Sequence, residues 1–167
     1  ISLKSVNAEN FDKAKAQLVK IINREARRLR SFLRIEYLEK EYQEIFSELL
    51  NRKMEEDTLT NSLQEFTELL ETYYGEKVIV LIDEYDVPLA KANENGYYDR
   101  MVLLIRNMLE NVLKTNDSLK FAVLTGCLRI AKESIFTGLN NFKVLSIMDS
   151  RFDEQFGFTD RLGLADD

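Results

Sequence analysis

Val78-Ile79-Val80-Leu81-Ile82-Asp83-Glu84 is an unbroken apolar run, rich in β-branched side chains, that stops at two adjacent carboxylates. Five such residues in succession read as a strand buried on both faces, as in a parallel sheet covered by helices, because a half-exposed strand would alternate apolar with polar. Asp83 and Glu84 then emerge at the carboxyl end of a central strand. Open α/β sheets place their ligands there.

Upstream of this run the period is helical. Phe11, Ala14, Leu18, Ile21, Ile22, Ala26, Leu29 and Leu33 predict a long amphipathic helix from about Asn10 to Leu33, with Glu9 and Asp12 near the positive end of its dipole. A second stripe of Leu38, Tyr42, Ile45, Phe46, Leu49 and Leu50 continues to about Arg52. A third, of Leu63, Phe66, Leu69, Leu70 and Tyr73, runs from a cap region at Thr60-Asn61-Ser62 to Gly75. Residues 1–75 are therefore mostly helical, and Ile1-Ser2-Leu3 resembles the tail of a strand already under way.

Downstream, Glu84 to the only proline, Pro88, reads as a strand exit, and Asn93-Glu94-Asn95-Gly96 as a loop. Met101, Val102, Ile105, Met108, Leu109, Val112 and Leu113 give the next helix a wide apolar face. Asn116-Asp117-Ser118 turns the chain into a second buried strand, Leu119 to Thr125, closed by Gly126. A short helix around Ile130 to Phe136, a turn at Gly138 and a third strand near Val144 to Ile147 complete an alternation of strands and helices. That order predicts an α/β fold with a parallel sheet.

Composition narrows the chemistry. The 167 residues, 45% of them hydrophobic, suffice for one core, so the chain reads as a single domain over 1–167. With 23 basic against 29 acidic residues the net charge is −6, which argues against a generic nucleic-acid or membrane-surface binder and gives no direct evidence for nucleic acid, although a local basic patch is compatible with it. The single cysteine, Cys127, excludes an intrachain disulfide and fits a reducing cytoplasm. No run reaches the ~20 apolar residues of a membrane helix, so no membrane association is expected. Histidine is absent altogether, which removes Ser-His-Asp and Cys-His catalysis and histidine general bases. Any catalysis must rest on carboxylates, Lys, Arg, hydroxyls or a bound metal.

An apolar strand ending in Asp-Glu matches the Walker B pattern, in which the aspartate, Asp83 here, orients a hydrated Mg²⁺ and the glutamate, Glu84, polarises the attacking water. The same carboxylates equally suit a solvated turn. Asp86 with Lys91 could belong to a carboxylate Mg²⁺ centre of nuclease type, but a hydrated loop explains both more simply. The second strand ends Leu124-Thr125-Gly126-Cys127-Leu128-Arg129, where Thr125 could sense a γ-phosphate and Arg129 could neutralise phosphate charge; an ordinary strand exit and a local ion pair are the alternatives. Cys127 lies in that turn without a histidine base and reads as a small, semi-buried residue. Arg24, Arg27, Arg28, Arg30 and Arg34 are spread around the first helix and read as a solvated face. A phosphate loop needs glycines before Lys-Ser or Lys-Thr, and none of the six glycines precedes a lysine.

Over Val80-Leu81-Ile82-Asp83-Glu84-Tyr85-Asp86-Val87-Pro88-Leu89, from Leu124 through Asn141, and at Phe156-Gly157-Phe158-Thr159, the sequence resembles the prokaryotic AAA-ATPase-like family. Its members typically join a P-loop ATPase-like domain to a PD-(D/E)XK nuclease-like domain. The resemblance covers roughly residues 75–160, the helical first part matching only in pattern. It implies a three-layer P-loop NTPase-like parallel sheet, with Asp83 and Glu84 at the Walker B positions and Thr125 to Arg129 in the sensor region. ATP and Mg²⁺ are the cofactors implied for the intact parent, used as a conformational switch, with neither held tightly by this segment alone. A non-catalytic regulatory or interaction module on the same scaffold is the second expectation.

The family's phosphate loop and the strand before it would lie upstream of Ile1, and its nuclease-like domain beyond Asp167, so the chain reads as an incomplete fragment. In such a sheet the missing strand is central. Its absence predicts apolar edges beside Leu119 to Thr125 and near Val144 to Ile147, and hence a closed-up sheet of three or four strands or self-association by edge pairing.

Overall fold

The computed structural model describes residues 1–127, together with Lys143 and Leu145. The predicted helix at 130–136, the turn at Gly138, the strand at 144–147 (except for Leu145), Arg129 and the stretch Phe156–Thr159 lie outside the described residues.

The described chain runs α1 (Phe11–Arg30), a 3-10 turn (Ile35–Tyr37), α2 (Lys40–Leu49), α3 (Glu56–Tyr74), β1 (Val78–Ile82), α4 (Val87–Glu94), α5 (Tyr98–Leu113) and β2 (Leu119–Leu124). It is an α/β fold. Strands β1 and β2 are parallel neighbours, Ile79 opposite Phe121 and Ile82 opposite Leu124, with a register shift between Val78 and Ile79. On the far side of β1 the amide of Asp83 donates to Ile1 O at 2.9 Å, that of Leu3 donates to Asp83 O at 2.9 Å, and Ser2 bridges Asp83 in parallel. Ile1–Leu3 is thus strand-like, as read from the sequence, and β1 is paired on both edges at its carboxyl end.

Local chemistry sets the helix limits. The side chain of Asn10 accepts from the Lys13 amide at 3.0 Å and caps α1, and Arg27, Arg28 and Arg30 crowd its last turn, where they offset the negative end of the dipole. The helix stops at Arg30, short of the expected Leu33, which is buried in the connection that follows. Helix α3 starts at Glu56 and not at the Thr60-Asn61-Ser62 segment. Thr60 and Ser62 bond instead to the carbonyls of Asp57 and Leu59 within the helix, so their hydroxyls need no cap role. Gly75 ends α3 in the left-handed region at φ 70°, its amide reaching Glu71 O at 2.7 Å. A further difference is α4, where the sequence predicts a strand exit and a loop. Pro88 sits in its first turn, where a missing amide costs nothing.

Helices α3 and α5 make the most extensive helix pair, and Leu18, Ile22, Leu59, Leu69, Leu104, Ile105 and Leu109 are almost fully buried among the helices. Ile82 joins this core from β1. The other sheet face differs from expectation: Ile79, Leu81, Phe121 and Val123 are 47%, 59%, 48% and 46% exposed. Strands β1 and β2 alternate in burial, because among the described residues the helical cover reaches one face only.

Helix α3 carries a half-buried carboxyl whose neighbours are acidic. Burial first, then the charges of Glu48 and Glu68, push the Glu65 pKa from its ordinary 4.5 up to about 7. Because the folded value lies above the unfolded one, folding takes up a proton: stability rises as pH falls through about 7 and the gain is complete below about 4.5. Glu65→Gln should therefore raise stability at pH ~8 by about 1 to 2 kcal/mol, after discounting for solvent screening, with the advantage vanishing towards pH ~4.5. Urea melts of both proteins across that range measure it; a pH-independent difference would contradict it.

Candidate functional site

Two strand tips and the turn after each make the site. Strand β1 delivers Asp83, and β2 delivers Thr125 beside it, because parallel pairing in register brings both carboxyl ends to the same edge. The Thr125 hydroxyl donates to Asp83 Oδ1 at 2.5 Å, and the Ser2 hydroxyl donates to Asp83 Oδ2 at 3.3 Å. Both Asp83 and Thr125 remain open to solvent. A shallow groove of about 410 Å³ lies along Ile1, Ser2, Leu81, Asp83, Val123 and Thr125.

Glu84 follows at φ 54°, the one non-glycine residue with positive φ among those described. An L residue in this left-handed region costs roughly 1 to 2 kcal/mol, so the surrounding contacts must hold it there. They are visible. The Glu84 amide donates to Thr125 Oγ1 at 3.3 Å, and the next amide, of Tyr85, donates to Thr125 O at 3.1 Å. The Thr125 amide in turn donates to Ile82 O at 2.9 Å. Thr125 thus binds Asp83 through its side chain and clamps the backbone on either side of the Glu84 carboxyl.

Asp86 is not in a hydrated loop. It is 2% exposed, and its Oδ2 accepts the Cys127 amide at 2.7 Å. A carboxylate that takes a backbone amide there ties the turn after β1 to the turn after β2. Gly126 makes the tie possible: a Cβ at that position would sit 2.7 Å from Asp86 Oδ1 and 2.8 Å from Tyr85 Cε1. Tyr85, packed against this carboxylate, has its phenol pKa raised by burial and by the Asp86 charge.

The structure brings Asp83, Glu84 and Thr125 together, whereas the Lys91 ammonium engages Glu94. Lys91 lies on α4 and pairs with Glu94 at 2.7 Å, so the Asp86 and Lys91 combination is not assembled. Cys127 is exposed, contrary to its semi-buried reading, because only its amide engages Asp86. Ser2 and the Asp86–Gly126 tie were missed at the sequence level. A glycine directly after a strand tip was the available signal for the latter.

Known proteins place this geometry in context. A family model described as Predicted AAA-ATPase matches residues 1–136. The chain belongs to the AAA-ATPase-like family. The match takes in the N-terminal helices of this AAA-ATPase-like chain as well as both strand tips, so the family relationship reaches further upstream than the quoted motifs alone imply. An uncharacterized protein in the vnfD 5′ region of Azotobacter chroococcum mcd 1 is 39% identical over 90 residues, which are 52% of this chain but 17% of that protein. The matched part is thus a small share of its relative's length. No solved structure matches. No helix among the described residues is long and apolar enough to cross a membrane.

Proposed function

We propose that the AAA-ATPase-like chain contributes the acidic half of a Mg²⁺–ATP site to the protein that contains it, on a three-layer P-loop NTPase-like sheet. The hydrogen bond between Thr125 and Asp83 carries this reading. It fixes a solvent-facing carboxylate at the edge where two parallel strands end, directly before a glutamate held in a strained backbone conformation. Strain of this kind collects at functional sites.

The donor set fits Mg²⁺. Among the described residues no group of three or more ligating side chains could cage a metal, whereas Asp83 offers one exposed carboxylate flanked by the hydroxyls of Thr125 and Ser2. Mg²⁺ bound to nucleotide asks for this arrangement, since phosphates and waters supply most of its ligands. When bound, the ion would neutralise charge on the phosphates. Asp83 would hold the ion's inner waters, Glu84 would accept a hydrogen bond from the attacking water, and Thr125 would keep both carboxylates in place. Arg129, outside the described residues, is proposed to face the phosphates. The phosphate cradle must come from elsewhere, since none of the chain's glycines precedes a lysine.

Isothermal titration of the full-length protein with ATP tests the reading. With Mg²⁺ the expected affinity is micromolar, and Asp83→Asn should weaken it about tenfold, equivalent to about 1.4 kcal/mol. Absence of binding in the full-length protein would overturn it. The second reading, a non-catalytic interaction module, draws on the exposed apolar face formed by Ile79, Leu81, Phe121 and Val123. That second reading gains if ATP gives no heat.

A further inference from the structure

We propose that the groove beyond the carboxyl end of α1 binds single-stranded nucleic acid, using Arg30 and Arg34 for phosphates, and for bases Phe32 in the groove and Tyr37, which follows the lining residue Glu36 and lies under the Arg34 guanidinium. The groove, of about 700 Å³, runs between the α1–α2 connection and α2. Arg30 and Arg34 line it, together with Phe32, Gln43 and Ser47. The site shares no residue with Asp83, Glu84 and Thr125.

Three observations point the same way. The chain as a whole is acidic, yet Arg24, Arg27, Arg30 and Arg34 make no ion pair among the described residues, and of the neighbouring arginines Arg28 alone is paired, with Glu25 at 2.5 Å. Offsetting the α1 dipole accounts for the arginines of the last turn but not for Arg34, which lies beyond the helix. Second, Phe32 and Tyr37 are 62% and 74% exposed, the highest values for large hydrophobic side chains among the described residues. Each carries a guanidinium over its ring, Arg28 at 6.0 Å from the Phe32 centroid and Arg34 at 5.9 Å from that of Tyr37. Third, the loop that presents them is built rather than loose. Leu33 is buried, the Arg34 amide donates to the Tyr73 hydroxyl at 3.4 Å, the Tyr37 amide donates to Arg34 O at 3.0 Å, and Gln43 Nε2 donates to Leu38 O at 2.8 Å.

Preorganised rings alternating with unpaired guanidinium groups match a ligand that alternates planar bases with phosphates. An acidic peptide would use the arginines and leave the rings idle. A duplex would hide the base faces. Glu36 also lines the groove, which disfavours a bare, densely charged anion and places more of the affinity on stacking.

Fluorescence anisotropy with a labelled oligothymidylate of about 12 nucleotides tests the proposal. Two phosphate contacts predict binding about sevenfold weaker when salt rises from about 50 to about 200 mM, from a slope of roughly −0.7 per contact on single strands. Arg30→Gln with Arg34→Gln should flatten that slope and weaken binding about tenfold or more at low salt. Phe32→Ala with Tyr37→Ala removes two stacked bases, each worth roughly 1 to 3 kcal/mol, and should weaken binding about thirtyfold or more while leaving the slope intact. All four side chains are exposed, so thermal melts should confirm an unchanged fold. The proposal is overturned if the oligonucleotide does not bind at low salt, if neither double variant alters binding, or if polyglutamate or duplex DNA competes as well as the single strand.

Discussion

Glu84→Gln in the full-length protein should lower ATP turnover about a hundredfold or more while changing ATP affinity less than about threefold. Glutamine keeps the shape and the half-buried position of the side chain but cannot act as a base towards water. Asp83, to which the proposed function assigns the metal, is untouched, so binding should survive. The backbone sharpens the test. Because Glu84 sits at φ 54°, Glu84→Gly removes a steric cost of roughly 1 to 2 kcal/mol, offset by the entropy that glycine adds to the unfolded chain. Glu84→Gly should thus be at least as stable as the parent and equally impaired in turnover. That pair of results would support retention of Glu84 for its chemistry and not for stability. Full turnover in Glu84→Gln would remove Glu84 from the mechanism.

Gly126→Ala should destabilise the fold by about 2 kcal/mol, seen as a fall in urea midpoint with little change in slope. The added Cβ meets Asp86 Oδ1 at 2.7 Å and Asp86 Cγ at 2.9 Å, and the carboxylate is confined by its bond to the Cys127 amide. Asp86→Ala alone leaves that amide without its acceptor and should cost about 1 to 3 kcal/mol. In the double variant the clash with the carboxylate disappears. The combined cost should therefore fall short of the sum by about 1 kcal/mol, the mark of two residues in direct contact. Additive costs would mean that Gly126 acts through something other than Asp86. The same tie sets the strand tips relative to each other, so a destabilised Asp86–Gly126 pair should also loosen Thr125 against Asp83.

Much of this was legible beforehand. Val78 to Glu84 announces a strand that ends in carboxylates, Asn116 to Ser118 a turn, and Gly75 a helix end. In each case a local rule decides: a run of β-branched residues, a side chain able to bond its own backbone, or tolerance of positive φ. Helix α4 escaped because Pro88 signals a break in sequence but is harmless in a first helical turn. The depth of Asp86 escaped because an acid after a strand is normally hydrated, and only Gly126 and the Cys127 amide on a distant segment let it be buried.

Sequence by itself determined the α/β class, the helical first part, the family and the placement of Asp83 and Glu84 at the end of a strand, since all follow from residue order and short-range chemistry. Tertiary structure alone decided which hydroxyls hold Asp83, that Thr125 clamps Glu84 in a left-handed conformation, and that Ile79 and Leu81 face outward. These depend on parallel pairing between strands about forty residues apart and on which face the helices cover. No local pattern encodes either, because a hydrogen bond across the sheet and a side chain's burial are properties of two segments at once.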